Sequence, residues 1–417
     1  MTQAQTMAEK ILSNKIKKDV YAGDMIISPI DLAFAHDGTL PLAIEKMEEM
    51  ESRKVFDKDR VLVICDHASP SPSEKVSNVH IMMRRFAKEN GLRLYENGDG
   101  ICHQIVLEKF SAPYKVIVGA DSHTCTHGGL GAFATGMGST DIAAAMIYGK
   151  TWFKVPEAYK IEANGTLKPN VFSKDLFLYI AGKIGADGAT YMSLEFLGST
   201  IKDMSIESRL TMTNMAIEVG AKCGIMEGDE KTREFLARYG REKEFKELSP
   251  DKDAVYKDEL YIDSEDIEPM IAYPHKVDNV APVSDYAGLE VDQVCIGSCT
   301  NGRLEDLRIA AKILKGKKSK SRLVVYPASR DVLIKAIREG LIDIFVDAGA
   351  AVCPPGCGFC IGRTIALGDG EVALSTQNRN FKGRMGNNNA EIYLCSPATA
   401  AVSAINGKIT YPDISNK

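Results

Sequence analysis

The stretch Lys115-Val116-Ile117-Val118-Gly119-Ala120-Asp121-Ser122-His123 decides the fold class. A short β-branched run gives way to two small residues and then to side chains suited to acid–base chemistry. β-Branched residues fit a pleated, buried strand, whereas glycine, aspartate and serine end one in a turn. The same order recurs on both sides of this stretch. Val61-Leu62-Val63-Ile64 leads into Cys65-Asp66-His67, and Val294-Cys295-Ile296 leads into Gly297-Ser298-Cys299-Thr300-Asn301. A helical pattern follows over Leu304 to Leu314. Leu323-Val324-Val325-Tyr326 stops at Pro327, and Glu371-Val372-Ala373-Leu374 leads into Ser375-Thr376-Gln377-Asn378-Arg379. Short apolar strands alternating with helices predict parallel α/β sheets covered on both faces. Ligands of such sheets collect beyond the carboxyl ends of the strands, where the polar residues stand here.

A chain of 417 residues is long enough for several domains. Three α/β units are expected, over residues 1–158, 159–277 and 278–417. The alternating charges between Glu227 and Glu259 read as solvated helix faces and loops. Apolar residues make up 45% and charged residues 26%, which excludes a disordered chain. Lys+Arg 51 against Asp+Glu 56 leaves a net charge of -5, with no basic footprint for nucleic acid or an anionic membrane. No apolar run reaches the ~20 residues of a membrane span. Met1 to Lys18 has no apolar secretory core, so a cytoplasmic location is expected. Ten cysteines are too few for a disulfide framework in a chain of this size and fit a reducing compartment.

Six of those cysteines lie in the last third, three of them in Cys353-Pro-Pro-Gly-Cys357-Gly-Phe-Cys360. Two thiolates in a Gly/Pro-rich loop can converge on one metal centre. Zinc usually needs a second pair at similar spacing, and no second Cys-x-x-Cys exists. A metal or cluster site, a redox pair and structural thiols all fit the spacing. Cys299, at a strand end beside glycine, is the candidate third ligand; a buried strand-end cysteine acting as a small hydrophobe is the plainer alternative. Three thiolates without an obvious fourth suggest a cluster with one under-ligated, Lewis-acidic iron.

Asp66-His67, His103 in Gly-Ile-Cys-His-Gln, and Asp121-Ser122-His123 hold three of the seven histidines. Across such motifs a carboxylate can fix an imidazole tautomer and raise its basicity. Arg379 and Arg384, five apart across a glycine, are suited to gripping two carboxylates of one small acid. Asn214 and Glu218 are spaced to share a helix face. The glycine-rich run from Gly128 to Gly138 has no lysine at a P-loop position, which argues against a nucleotide cradle.

Together these motifs, in order from Asp66 to Arg384, resemble the aconitase superfamily, and within it the family of 3-isopropylmalate dehydratase large subunits, to which homoaconitase large subunits are closely similar. The resemblance implies three α/β/α domains with mainly parallel sheets around a central Fe-S cleft, without the swivel domain. It implies one 4Fe-4S cluster held by Cys299, Cys357 and Cys360, with one open iron. His67, supported by Asp66, would protonate a departing hydroxyl, and His103 would pair with Asp121. His123 and Glu218 would contact the iron-bound water. Asn214, Asn301 and Asn378 would bond around the cluster, Arg379 and Arg384 would anchor carboxylate, and Ser122 would line the pocket. The implied reaction moves a hydroxyl of a small 2-hydroxy di- or tricarboxylic acid to the neighbouring carbon by dehydration and rehydration, as in leucine biosynthesis.

Two departures argue against citrate: His36-Asp37-Gly38-Thr39 stands where monomeric aconitases carry a glutamine nearby, and Thr126 stands where they have an asparagine. The family's carbon base, a serine in a Gly-Ser-Ser-Arg-like loop, has no match here; Ala328-Ser329-Arg330 does not fit it. A small subunit carrying the swivel domain, with that serine and a further arginine, is therefore expected as partner. Cys295 and Cys353 could form disulfides with the ligand cysteines in cluster-free protein. Homoaconitase, a cluster-free RNA-binding protein and a thiol oxidoreductase using Cys357 and Cys360 are the alternatives.

Overall fold

Four sheets form among residues 3–413, which the computed structural model describes. The first has five parallel strands in the order Arg93–Tyr95, Val61–Ile64, Leu32–His36, Val116–Gly119 and Phe133–Gly136. Its middle strands are buried throughout, as their unbroken apolar runs predict. The chain runs outward from Leu32–His36 to one side, then returns and runs outward to the other. The strand order therefore reverses between Leu32–His36 and Val116–Gly119, and a crevice opens where the loops leave in opposite directions.

A second parallel sheet has the order Cys223–Met226, Ser193–Leu197, Ala158–Asn164 and Asp258–Asp263. The third has seven strands. Five are parallel, in the order Glu391–Leu394, Val372–Ser375, Gln293–Ile296, Arg322–Val325 and Ala351–Val352. Here the order reverses between Gln293–Ile296 and Val372–Ser375. Met270–Ala272 extends this sheet in antiparallel fashion, pairing with both Glu391–Leu394 and Val280–Pro282. The third sheet thus reaches back across residue 278, because pairing along an open edge, not sequence proximity, sets sheet membership. A two-stranded antiparallel ribbon, Met25–Pro29 with Lys150–Lys154, completes the set.

Helix Leu304–Leu314 spans the predicted residues and buries Leu307, Ala310, Ala311 and Leu314, one stripe at helical spacing. Each fully buried leucine there contributes roughly 1.5–3 kcal/mol. The sheets pack closely on one another. A 3-10 segment, Ser122–Leu130, which takes in the start of the glycine-rich run, is laid against strand Cys223–Met226. A Cβ on Gly128 would stand 1.7 Å from the Gly224 carbonyl oxygen, so glycine is required for that approach. Cys299 and Ala328 pack into one apolar cluster with Phe34, Leu62, Ile64 and Ile105 of the first sheet's layer. Ile101 donates its backbone N–H to Ala328 across the same boundary (2.9 Å). Among the described residues no helix is long and apolar enough to cross a membrane.

Candidate active site

The two reversal points face each other across a cavity of about 270 Å³. Residues beyond Leu32–His36, Val61–Ile64 and Val116–Gly119 line one wall: His36, Thr39, His67, Asp121, Ser122 and His123. The opposite wall carries Cys299, Cys357, Cys360, Asn378, Arg379 and Arg384.

On the first wall, adjacent Asp66 and His67 do touch: His67 Nδ1 lies 2.8 Å from Asp66 Oδ1. Asp66 is fully buried, and its other oxygen accepts the Cys102 N–H at the start of helix Cys102–Lys109 (2.7 Å), where the helix dipole favours a carboxylate. His67 Nε2 faces Asp121 Oδ2 at 3.3 Å. Burial opposes charge on His67, yet Asp66 and Asp121 outweigh it and hold its proton well above the usual histidine range.

Asp121 is the hub of this wall. Its Oδ1 lies 2.8 Å from His103 Nε2 and accepts the His123 N–H at 2.7 Å. Burial would raise its pKa, but His103 and the other imidazoles hold it well below the carboxylate range. Burial moves His103 the other way, lowering its pKa despite Asp121, so this imidazole stays neutral. His123 Nε2 pairs with Glu218 Oε1 (2.8 Å), and Arg379 Nε donates to both Glu218 oxygens (2.8 and 3.0 Å). Glu218 is held ionised against its burial by His123 and Arg379.

On the second wall, a Gly297 φ of +147° turns the chain sharply out of strand Gln293–Ile296 into the single turn Ser298–Asn301. The buried Arg303 guanidinium clasps that turn, donating to the Cys299 and Thr300 carbonyls (2.5 and 2.6 Å). Asn214 Nδ2 and Asn378 Nδ2 point at Cys299 Sγ (3.3 and 3.4 Å), and Arg384 Nη2 points at Cys360 Sγ (3.1 Å). Burial pushes the Cys299 thiol up to about 12. Cys357 and Arg384 draw Cys360 well below the usual thiol range. All ten cysteines are free thiols. Three buried sulfurs on one cavity wall, two of them met by amide and guanidinium donors, fit an iron–sulfur cluster, whose sulfurs take such bonds. A thiol facing only apolar neighbours would not.

Lys174, buried, holds the loop after Val372–Ser375 by donating to the Thr376 and Gln377 carbonyls. Burial lowers its pKa to about 8.

Some expectations resolve differently. Asn214 and Glu218 do not share one helix face. The α-helix ends at Met215, and a 3-10 turn, Ala216–Val219, closed by Gly220, rotates Glu218 toward His123. Asn301 sits in the cysteine turn, but its amide donates to Thr211 and Asp306 (3.2 and 2.9 Å), not to a thiol. Ser329 caps helix Arg330–Arg338 and donates to Glu108 (2.6 Å).

Other residues went unassigned in the sequence. Asp37 accepts the His67 and Ala68 N–H groups (2.9 and 2.7 Å) and faces His80 Nε2 at 3.2 Å, tying down the Asp66-His67 turn. His36 stacks on His67 at 3.6 Å and 10°. His36 ends strand Leu32–His36 and Asp37 follows it, so the strand-then-polar pattern that marked the other motifs was available for them. Arg303 carries no such signal, since an arginine opening a helix resembles any surface residue.

The aconitase family (aconitate hydratase) model matches residues 9–288 and 284–407. The 3-isopropylmalate dehydratase large subunit 1 of Thermotoga maritima is 55% identical over 413 residues, 98% of this chain and 99% of that protein. The large subunit 2 of the same enzyme from Archaeoglobus fulgidus is 53% identical over 411 residues, again 98% and 99%. The probable methanogen homoaconitase large subunit of Methanosarcina mazei is 48% identical over 390 residues, 93% of this chain and 99% of that protein.

Proposed function

The chain belongs to the aconitase family, and from that premise we propose that it is the large subunit of a 3-isopropylmalate dehydratase, a hydro-lyase interconverting 2- and 3-isopropylmalate by loss and return of water. The observation that carries this is that one cavity is lined by three buried cysteines and two arginines together with His67 and Asp121. The family implies a 4Fe-4S cluster; here Cys299, Cys357 and Cys360 would hold it. When bound, the cluster supplies a Lewis acid that weakens the bond from carbon to hydroxyl.

The chain's own residues do the rest. His67 keeps a proton at Nε2 because Asp66 and Asp121 stabilise its charged form, and it delivers that proton to the departing hydroxyl. Hydroxide is a poor leaving group; water is a good one. Asp121 fixes His103 in one tautomer. His123 and Glu218 hold each other beside the reacting face, so a proton taken up there can be returned in rehydration. Arg379, with its Nε engaged by Glu218, keeps its outer N–H groups for a substrate carboxylate. Arg384 contributes charge from the thiol side, and Ser122 lines the wall. We take residues 1–158, 159–277 and 278–417 as the three units around this cleft.

Dehydration also removes a proton from the neighbouring carbon. We assign that base, with a further arginine, to a small subunit bearing a swivel domain; the "large subunit" names of the relatives support such a partner. Anaerobic, cluster-loaded chain is to be mixed with its small subunit while alkene formation from 3-isopropylmalate is followed. Turnover is expected only in the mixture, and full activity of the lone chain would refute the split. The Methanosarcina relative supports a second reading, homoaconitase. Running homocitrate in parallel separates the two.

A further inference from the structure

Strand Leu32–His36 delivers a buried imidazole to the cavity that the scheme above leaves without a task. His36 is 4% exposed and lies among the residues lining the cavity. Its Nδ1 accepts the Gly38 N–H at 3.1 Å. A nitrogen that accepts carries no proton, so the ring's one N–H is at Nε2. That Nε2 has no hydrogen-bond partner. The nearest acceptor, Asp121 Oδ2, is 3.5 Å away and already faces His67 Nε2 at 3.3 Å.

The stack on His67 sets the two Nε2 atoms side by side, both turned toward Asp121. Gly38 makes room for this ring, since a Cβ there would stand 3.0 Å from His36 Cε1. The groups around His36 are Asp37, Asp121, His67 and, behind His67, Asp66. Charge on His67 satisfies Asp66 and Asp121 together. Burial and the charge on His67 oppose a second charge on the parallel ring, while Asp121 and Asp37 draw its pKa upward. His36 thus presents one Nε2–H to the cavity beside the cationic His67.

We propose that His36 is a substrate-contacting residue, whose Nε2–H donates to a carboxylate or hydroxyl oxygen of the bound 2-hydroxy acid next to His67. This rests on the cavity being the hydroxy-acid site proposed above. A buried N–H without an acceptor is unfavourable in the free protein, and a substrate oxygen relieves it on binding. His67 gives up a proton; His36 keeps its own and fixes the oxygen's position, so no charge is moved through it.

The test uses cluster-loaded chain with its small subunit. His36→Phe retains an aromatic ring to stack on His67 but has no donor; His36→Gln loses the ring and retains a donor. A lost hydrogen bond to a charged or reacting oxygen predicts a fall of about 10- to 100-fold in kcat/KM for His36→Phe, with His36→Gln partly restored. The opposite order, Phe active and Gln impaired, would mean that His36 acts only by stacking on His67 and would overturn the proposal. Equal activity of both variants and wild type would overturn it too. Unchanged visible cluster absorbance and near-ultraviolet circular dichroism establish that each variant is folded and loaded. If His36→Phe fails that check, His36→Leu against His36→Gln makes the same comparison of donor with no donor. Wild type inactive on both isopropylmalate and homocitrate would refute the functional premise instead, a result distinct from any ordering of the variants.

Discussion

Replacing Asp66 with asparagine isolates the proton that His67 is proposed to deliver. The side chain is fully buried, and its two oxygens have separate tasks: one accepts the Cys102 N–H at 2.7 Å, the other the His67 Nδ1 proton at 2.8 Å. Asparagine has one oxygen. Cys102 offers only a donor, so the amide oxygen must face it and the NH2 group must face His67 Nδ1. The imidazole then meets a donor where it had an acceptor, and its charged form loses its strongest stabilisation. A hydrogen bond to a charged group is worth about 1.5–3 kcal/mol, which corresponds to a loss of about 10- to 150-fold in kcat/KM. The sign in pH follows. His67 must be protonated to act, so activity is present below its pKa in the folded protein and lost above it; Asp66→Asn lowers that pKa and moves the alkaline limb of kcat/KM to lower pH. The assay is alkene formation from 3-isopropylmalate by the two-subunit enzyme across the pH range, with thermal unfolding to show that the fold is kept. An unmoved alkaline limb with kcat/KM within about threefold of wild type would refute the role of the pair.

Cys360→Ser should leave the secondary structure intact but abolish stable cluster loading, read as iron per chain and visible absorbance after anaerobic reconstitution; full loading would remove Cys360 from the ligand set. Arg379→Lys replaces a planar fork that grips both Glu218 oxygens with a point charge, and should raise KM about tenfold while changing kcat less, an outcome negated by an unchanged KM. Glu195 is fully buried, accepting from Ala8 N–H and Tyr256 OH, and burial raises its pKa from 4.5 to about 7. The folded state therefore holds this proton more tightly than the unfolded one. Stability is highest below the unfolded pKa and falls as pH rises through about 7, by on the order of 1–3 kcal/mol. Glu195→Gln should flatten that fall in thermal unfolding between pH 5 and 8, and an unaltered slope would contradict the buried-proton account.

The strands and their chemistry-bearing ends were legible because both depend on local composition. Val61–Ile64 appears as predicted, and the runs around Val116 and Val372 shift by a single residue. Helix Leu304–Leu314 matches because its apolar stripe has one period along its whole length. The placing of Glu218 on one helix face with Asn214 missed the switch from α-helix to 3-10 turn after Met215, which leaves no mark in the hydrophobic spacing; in the fold that turn carries Glu218 within 2.8 Å of His123. Met270–Ala272 joined the third sheet for a comparable reason, a free edge elsewhere in the chain.

By itself, then, the order of residues determined which side chains stand at strand ends, and hence which could do chemistry. Only the tertiary structure decided which of those ends meet. Both main sheets reverse their strand order, and packing of the two sets those reversals face to face, so that thiols near residue 360 lie across one cavity from imidazoles near residues 67 and 123. Strand formation is governed by neighbours along the chain. The meeting of the two walls depends on long-range burial, as in the seat of Cys299 among Phe34 and Ile64, which no local pattern encodes.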